Sequence, residues 1–262
     1  MQINKEFEVL KTLIDFDQAH QQFLHDCNDN CRYMDIKPYK YNNVELFNKK
    51  FINASWIDFP KYHEFIATQG PMKFTCEDFF NMCIQNNVNL IIMLCKDFEN
   101  GREKCYTYWE EQRLNSIIVK EGSSKKVAND LILREIVLEG HWFQKKKIYQ
   151  LHYVGWPDHG APDPTKAYGT FIKMFNYTKE LGKAYPVVVH CSAGVGRTGT
   201  YLTLFNIYEH LKQQKLNKRN YYYFSVFIMV RKLKEMRLFL VENEFQYKFI
   251  YNLLDLIIKQ LN

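Results

Sequence analysis

The sequence lacks the features that would divide it into parts or tie it to a membrane. No apolar run reaches the length that spans a bilayer, and the first residues, MQINKEFEVL, contain no apolar leader segment. No internal repeat and no Gly/Ser/Pro-rich linker interrupts the 262 residues, which include only 11 Gly and 7 Pro. We therefore expect residues 1–262 to form one domain that works in the cytoplasm without a membrane partner.

Cysteine is sparse, and its spacing excludes two kinds of scaffold. The seven cysteines are an odd number, and no two of them have C-x-x-C spacing. The absence of C-x-x-C pairs excludes a zinc ribbon. A disulfide framework is excluded as well, because a chain of this length does not need disulfides to hold its core. We expect reduced thiols and no metal site, and only Cys191 requires a chemical explanation.

The composition favours a large core and an anionic ligand. Hydrophobic residues make up 47% of the chain, and 20 Phe and 18 Tyr supply enough volume for an aromatic core. The formal charge of +6 suits an anionic substrate. Because the sequence has no zinc-finger spacing, RNA-binding signature or long basic arm, we do not expect nucleic acid as a partner.

Hydrophobic periodicity predicts an α/β fold with a mixed sheet. Apolar residues at helical spacing predict an N-terminal helix over about residues 6–26 and a final helix over ENEFQYKFIYNLLDLIIKQL. Asp163 and Pro164 predict the start of another helix, which Gly182 ends. Runs of β-branched and aromatic residues predict strands in NLIIMLC, KCYTYW, SIIV, DLILREIVL, KIYQLHYV, PVVV and, by propensity alone, residues 221–230.

The segment HCSAGVGRTG, between the PVVV strand and a predicted helix, has the chemistry of a phosphate site. Successive backbone N–H groups can turn inward as an anion nest, and the helix N-terminus adds positive potential. The residues of this nest are Ser192, Ala193, Gly194, Val195, Gly196 and Arg197. The Arg197 guanidinium can hold two phosphoryl oxygens and, with the backbone dipoles, stabilise a thiolate at Cys191. Thr198 can hydrogen-bond the sulfur, and His190 can fix the loop from outside.

The same segment also contains the pattern of a dinucleotide-binding turn. Glycines at 194, 196 and 199 spell G-x-G-x-x-G after a strand and before a helix. However, no acidic residue ends a second strand about 20 residues later, where that fold places one. A dinucleotide-binding turn also has no use for a cysteine and an arginine here, so we favour a phosphate site with a nucleophile.

The segment HCSAGVGRTGTY resembles the signature loop of the protein tyrosine phosphatases at every defining position. Five further segments occur in that family's order and rough spacing: CRYMDIKPY, FINASWI, FIATQGPM, GREKCYTYW and WPDHGAP. The resemblance implies a twisted mixed β-sheet flanked by α-helices, with helix instead of strand at residues 221–230. It also implies that phosphotyrosine in proteins is hydrolysed through a cysteinyl-phosphate, without a metal or an organic cofactor.

The resemblance implies catalytic roles for particular residues. Cys191 matches the nucleophile and Arg197 the phosphate clamp. In WPDHGAP, Asp158 matches the acid of a mobile loop, which protonates the tyrosine oxygen and then activates water. Trp156 matches a packing group for closure of that loop.

The resemblance also implies residues that bind substrate or support the catalytic groups. Tyr33 matches the ring that lines the phosphotyrosine pocket, and Asp35 matches the acid that holds the substrate backbone. Glu99 matches the acid that orients Arg197, and Lys104 the basic neighbour of the general acid.

Several positions depart from the family pattern, and three of them have an expected consequence. Glu242 stands where the family usually has the glutamine that helps to position the hydrolytic water, whereas the second glutamine, Gln246, is kept. A carboxylate here would slow hydrolysis of the anionic intermediate. His159 replaces an aromatic residue, so we expect the loop to respond to pH near ~6.5, the pKa of a free imidazole. Met34 replaces a residue that is often basic in relatives that prefer acidic peptides.

Other functions with different partners stay open. A phosphotyrosine-binding module with little turnover would keep the same pocket, and Glu242 favours it, but Cys191, Arg197 and Asp158 are all present. A phosphatase of phosphoserine, RNA or lipid phosphates is disfavoured by Tyr33 and its segment. The expected partners are tyrosine-phosphorylated proteins, and the expected state is a monomer. The compact chain is similar to phosphatases carried by insect-associated polydnaviruses, which would place it in signalling in the host-cell cytoplasm.

Overall fold

The computed structural model describes residues 2–13, 22–24, 28–59, 63–157, 160–183, 185–217 and 223–261. Its strands are β1 Ala54–Phe59, β2 His63–Thr68, β3 Leu90–Met93, β4 Phe98–Glu99, β5 Arg102–Glu103, β6 Gln112–Arg113, β7 Ile117–Ala128, β8 Leu131–Gly140, β9 Phe143–Tyr153 and β10 Val187–His190. Eight of them form one sheet in the order β1-β2-β10-β3-β9-β8-β7-β6, and β4 pairs with β5. No helix in the described ranges is long and apolar enough to cross a membrane.

The middle of the sheet is parallel and buried on both faces. β10 lies between β2 and β3, and pairs in parallel with each of them. All four residues of β3 and of β10 are buried, as their continuous apolar sequences require. Because His190 lies opposite Met93, both strands end at the same edge of the sheet. The functional loops begin at this edge.

The other end of the sheet is an antiparallel meander of long strands. β7, β8 and β9 pair with their sequence neighbours, and β9 joins them to β3 in parallel. Buried and partly exposed residues alternate along much of β8, as expected for strands with one solvated face. The predicted strands SIIV, DLILREIVL and KIYQLHYV all lie in this meander.

The helices are α1 Gln2–Thr12, α2 Cys76–Gln85, α3 Pro164–Leu181, α4 Gly196–Leu216, α5 Val226–Met236 and α6 Glu244–Leu261. α3 begins as predicted, since the Asp163 side chain accepts a 2.9 Å hydrogen bond from Lys166 N. α6 packs against α1, α3 and α4, and one hydrophobic cluster extends from Phe7 to Ile257. The predicted twisted mixed sheet flanked by helices is confirmed.

The predicted helix over about residues 6–26 is wrong in its extent. α1 ends at Thr12, and Phe23 instead forms an antiparallel bridge with Tyr39. The ring of Phe23 stacks on that of Tyr39 at 5.2 Å, so aromatic packing between distant segments determines the local structure. Residues 14–21 and 25–27 lie outside the described residues.

Two predicted strands are also absent from the described residues. KCYTYW, residues 104–109, forms turns, because Tyr108 and Trp109 turn inward and pack on His190 and His152. From Val226 onward, the segment predicted as strand by propensity is helix, and the Ser225 hydroxyl accepts a hydrogen bond from Ile228 N at its start. Burial of one apolar face of this helix outweighs its β-branched content. Residues 221–222 lie outside the described residues.

Candidate active site

Residues 191–197, which we call the anion loop, connect the end of β10 to the first turn of α4. Cys191 is only 5% exposed, and the Thr198 hydroxyl lies 3.4 Å from its sulfur. Gly194 has φ +71°, and a Cβ there would lie 2.1 Å from the carbonyl oxygen of Thr68. The turn therefore requires glycine at this position.

Arg197 is held by a carboxylate from a neighbouring loop. Its two terminal nitrogens donate to the two oxygens of Glu99 at 2.5 and 2.7 Å. Burial by itself would lower the pKa of Arg197, but Glu99 reverses the direction and raises it. Burial likewise opposes ionisation of Glu99, yet the hydrogen bonds and charge of Arg197 hold its pKa below the usual value. The guanidinium also lies 5.8 Å from the ring centre of Trp156, which is buried.

A neutral histidine supports the loop at Cys191. His190 Nδ1 lies 3.0 Å from the carbonyl oxygen of Cys191, so Nδ1–H donates and Nε2 accepts from the Tyr108 hydroxyl at 2.9 Å. The same hydroxyl accepts from Gln150 Nε2 at 2.9 Å. Burial, partly offset by the bond to Cys191, lowers the pKa of His190 to about 3. The imidazole is therefore neutral near pH 7.

A second buried network extends from the same residues. Arg134 Nη1 donates to Gln150 Oε1 at 2.8 Å and to His152 Nδ1 at 3.0 Å. His152 Nε2–H in turn donates to the carbonyl oxygen of Cys95 at 2.7 Å. Burial lowers the pKa of His152 to about 4, so it too is neutral.

Arg237 holds the other part of the loop. It is 1% exposed and donates to the carbonyl oxygens of Gly194 at 2.9 Å and Ala193 at 3.2 Å. Its remaining bonds go to Asn53 Oδ1 at 2.8 Å and Ser55 Oγ at 3.1 Å. Burial lowers its pKa to about 10, so the guanidinium stays charged at neutral pH. We call His190, Tyr108, Gln150 and Arg237 together the loop support.

A pocket of about 380 Å³ opens over the anion loop. Tyr33 lines one wall, and its hydroxyl lies 2.9 Å from the hydroxyl of Ser192. The other residues of its lining are Asp35, Ile36, Glu99, Lys104, Pro157, Gly160, Cys191, Ala193, Gly196, Arg197, Glu242, Asn243 and Gln246. The pocket therefore combines a thiol, a guanidinium and an aromatic wall.

Glu242 and Gln246 come together beside the loop. A Cβ on Gly196 would lie 2.7 Å from both Glu242 Oε2 and Gln246 Nε2. Gln246 is 4% exposed, and its Oε1 accepts from the backbone N–H of Glu242 at 2.9 Å. Both side chains therefore line the same pocket as Cys191, beside the first turn of α4.

The structure thus brings together the site residues predicted from sequence, with one exception. Asp158 and its neighbour His159 lie outside the described residues, although Pro157 and Gly160 on either side line the pocket. Val195 and Thr198 are buried within the loop and the helix start. Among the described residues, no group of three or more His, Cys, Asp or Glu could hold a metal ion.

Sequence reasoning missed most of the loop support. Tyr108 and Gln150 looked like strand residues, and Arg237 belonged to none of the segments that matched the family. Only their burial together with the loop carbonyls shows their role. The weak signal available was that KCYTYW belonged to a segment matching the family.

Comparison with known proteins gives one consistent family. A family model described as protein-tyrosine phosphatase matches residues 27–255. Tyrosine-protein phosphatase 99A of Drosophila melanogaster is 34% identical over 240 residues, which cover 85% of this chain and 18% of that protein. Phosphatidylinositol phosphatase PTPRQ of Rattus norvegicus is 32% identical over 238 residues, covering 86% and 10%. The chain therefore spans less than a fifth of the length of either relative.

A solved structure of PTPN18 in complex with HER2-pY1196 phosphor-peptides has the same fold. It superposes with a TM-score of 0.86 at 27% identity, and the match covers 98% of this chain and 93% of that one. The similarity therefore includes the sheet, the anion loop and the helices that follow it.

Proposed function

Because this chain belongs to the protein-tyrosine phosphatase family, we propose that it hydrolyses phosphotyrosine in proteins. The observation that carries the proposal is one pocket that holds the Cys191 thiol, the Arg197 guanidinium paired with Glu99, and the Tyr33 ring. This set can attack, hold and surround an aryl phosphate. The PTPN18 complex with phosphopeptides supports a protein substrate. We also propose that residues 1–262 act as one monomeric domain in cytoplasmic signalling.

In the first step, the Cys191 sulfur attacks phosphorus and the bond from phosphorus to the tyrosine oxygen breaks. Arg197 holds two of the phosphoryl oxygens, and the backbone N–H groups of residues 192–197 bind the charge that develops. We assign to Asp158, from the family resemblance, the proton that the departing tyrosine oxygen receives. The Thr198 hydroxyl, 3.4 Å from the sulfur, stabilises the thiolate before attack and after release.

In the second step, water attacks phosphorus, the sulfur–phosphorus bond breaks, and inorganic phosphate leaves. We assign to Gln246, which lines the pocket beside Gly196, the orientation of this water, and to Asp158 the acceptance of its proton. Glu242 adds a carboxylate beside an intermediate that is itself anionic. We propose that this repulsion slows the second step, so that the cysteinyl-phosphate accumulates.

The test is hydrolysis of a phosphotyrosyl peptide in steady-state and rapid-mixing assays. The wild type should turn over repeatedly, with an initial burst that approaches one product per enzyme. Cys191→Ser should abolish hydrolysis, and Asp158→Ala should lower kcat by about a hundredfold or more. Glu242→Gln should shrink the burst and raise kcat by about threefold. A wild type without a burst, and an unchanged kcat in Glu242→Gln, would contradict the assignment of Glu242.

Two control substrates separate the proposal from its alternatives. The matching phosphoseryl peptide and phosphatidylinositol phosphate vesicles should both be hydrolysed at least about a hundredfold more slowly, because Tyr33 favours an aromatic leaving group. Faster hydrolysis of the vesicles would make this a lipid phosphatase. Tight peptide binding without any turnover would make it a phosphotyrosine-binding module.

A further inference from the structure

The pocket carries an excess of negative charge on the side chains that remain available to a ligand. Among the described residues, five charged side chains line it: Asp35, Glu99, Lys104, Arg197 and Glu242. Glu99 and Arg197 form a buried ion pair with each other. Two carboxylates and one ammonium group are then left to meet the substrate around the phosphate.

Both of these carboxylates are open to solvent. Asp35 and Glu242 are exposed, and neither belongs to an ion pair in the described part of the chain. Lys104 is half-buried, and its charge helps to lower the pKa of Glu99. Glu242 attracts the ammonium group of Lys234 in α5, a side chain that is only 6% exposed. Its burial keeps that ammonium from contacting a peptide.

The residue between the aromatic wall and Asp35 adds no charge. Met34 is 62% exposed and presents its thioether to solvent beside Tyr33. Met34 therefore offers no cation to an acidic side chain of a substrate. We call Met34, Asp35 and Glu242 the rim.

We infer that the rim selects phosphotyrosine sites whose neighbouring residues are basic, an inference that rests on the proposed function. A Lys or Arg one or two positions from the phosphotyrosine would approach Asp35 or Glu242, whereas a Glu would be repelled. The net charge of +6 over the whole chain has the opposite tendency. At physiological salt, however, charges farther away than about 8 Å are largely screened, so the rim carboxylates dominate.

The experiment uses three phosphotyrosyl peptides that differ only in the residues adjacent to phosphotyrosine: Lys on both sides, Ser on both sides, or Glu on both sides. We expect kcat/KM for the Lys peptide to exceed that for the Glu peptide about tenfold at low salt, falling to about twofold in 0.5 M salt. The value of kcat/KM reports the steps up to release of the peptide. A slow second step therefore does not affect it.

Variants assign the preference to the rim. Glu242→Gln should lower the Lys-to-Glu ratio about threefold, and Glu242→Lys should reverse the preference. Glu180→Gln is the matched control, because Glu180 is exposed, does not line the pocket and changes the net charge by the same amount. An unchanged ratio in Glu242→Gln, or a wild type that prefers the Glu peptide, would overturn the inference.

Failure of the inference and failure of the proposed function give different results. The small substrate p-nitrophenyl phosphate has no neighbouring residues, so its hydrolysis tests the proposed function alone. If it is hydrolysed and the three peptides have equal kcat/KM, the inference is wrong and the proposed function stands. If neither p-nitrophenyl phosphate nor any peptide is hydrolysed, the proposed function is wrong. The Kd values of the three peptides for Cys191→Ser then test the inference directly, since equal values or a preference for Glu overturn it.

Discussion

The loop support is a set of fully buried side chains joined by hydrogen bonds, whereas the rim exposes side chains with few partners. His190, Tyr108 and Gln150 are each 0% exposed, and Arg237 is 1% exposed. Met34 is 62% exposed, and the two rim carboxylates are exposed as well. If the rim selects the peptide as inferred, the shape of the anion loop and the choice of peptide are set by separate residues. Substitutions in the loop support should lower stability, and substitutions at the rim should change peptide specificity with little effect on stability.

The largest effect is expected from Arg237→Met, which keeps the length of the side chain and removes its charge. Four acceptors lose their donor, and two of them are carbonyl oxygens of the anion loop. Hydrogen bonds to charged groups contribute about 1.5–3 kcal/mol each. Part of that loss is offset, because methionine does not carry the desolvation cost of a buried cation. We expect a loss of about 3 kcal/mol in the free energy of unfolding, measured by urea denaturation.

The matched control for Arg237→Met is Arg231→Met, in the helix α5 that ends at Met236 just before Arg237. Arg231 is exposed, and its ion pair within the described residues is with Glu235, at 3.1 Å. Exposed pairs of this kind contribute about 0.5 kcal/mol or less. Equal losses in the two variants would show that Arg237 does not support the loop.

A smaller loss is expected from Tyr108→Phe, which deletes one hydroxyl. His190 Nε2 would lose its donor, and Gln150 Nε2 would lose its oxygen acceptor and keep only the weaker sulfur acceptor of Met93 at 3.5 Å. Unsatisfied buried groups cost about 1–3 kcal/mol, so we expect the free energy of unfolding, measured by urea denaturation, to fall by about 2 kcal/mol. Tyr106→Phe is the control, because that hydroxyl makes one bond, at 3.2 Å, to Gln112. Similar losses in both variants would contradict a special role for Tyr108.

The two buried histidines predict how stability changes with pH. The pKa of His190 is lowered to about 3 and that of His152 to about 4, against the 6.5 of the unfolded chain. Below pH 6.5, the unfolded state therefore binds protons that the folded state does not, and stability falls as the pH falls towards 4. Each histidine should contribute roughly 1 kcal/mol per pH unit in this window.

Urea titrations at a series of pH values measure this slope. His152→Gln should remove about half of it, because one of the two neutral histidines is gone. The control is His141→Gln, because His141 is an exposed residue in the turn between β8 and β9. If His141→Gln reduces the slope as much as His152→Gln does, the pH dependence of stability does not come from the buried histidines.

The same division explains what could be predicted from the sequence. The anion loop lies in one segment of ten residues, so its nucleophile, guanidinium and glycines could be read together. The loop support comes from segments far apart in the chain, and each residue has an ordinary local pattern. KCYTYW illustrates the difficulty, since its strand propensity is overridden when Tyr108 reaches the buried imidazole of His190. The extent of the first helix failed for a similar reason, because Phe23 pairs with Tyr39.

The smallest effect on stability is expected at the rim, from Met34→Lys. The side chain is exposed and makes no hydrogen bond that would be lost, so the free energy of unfolding should change by less than about 0.5 kcal/mol. The added ammonium group would lie next to Asp35 and offset its charge. The Lys-to-Glu peptide ratio in kcat/KM should therefore fall about threefold while stability stays the same. A variant that lost stability but kept its peptide preference would contradict the separation between the loop support and the rim.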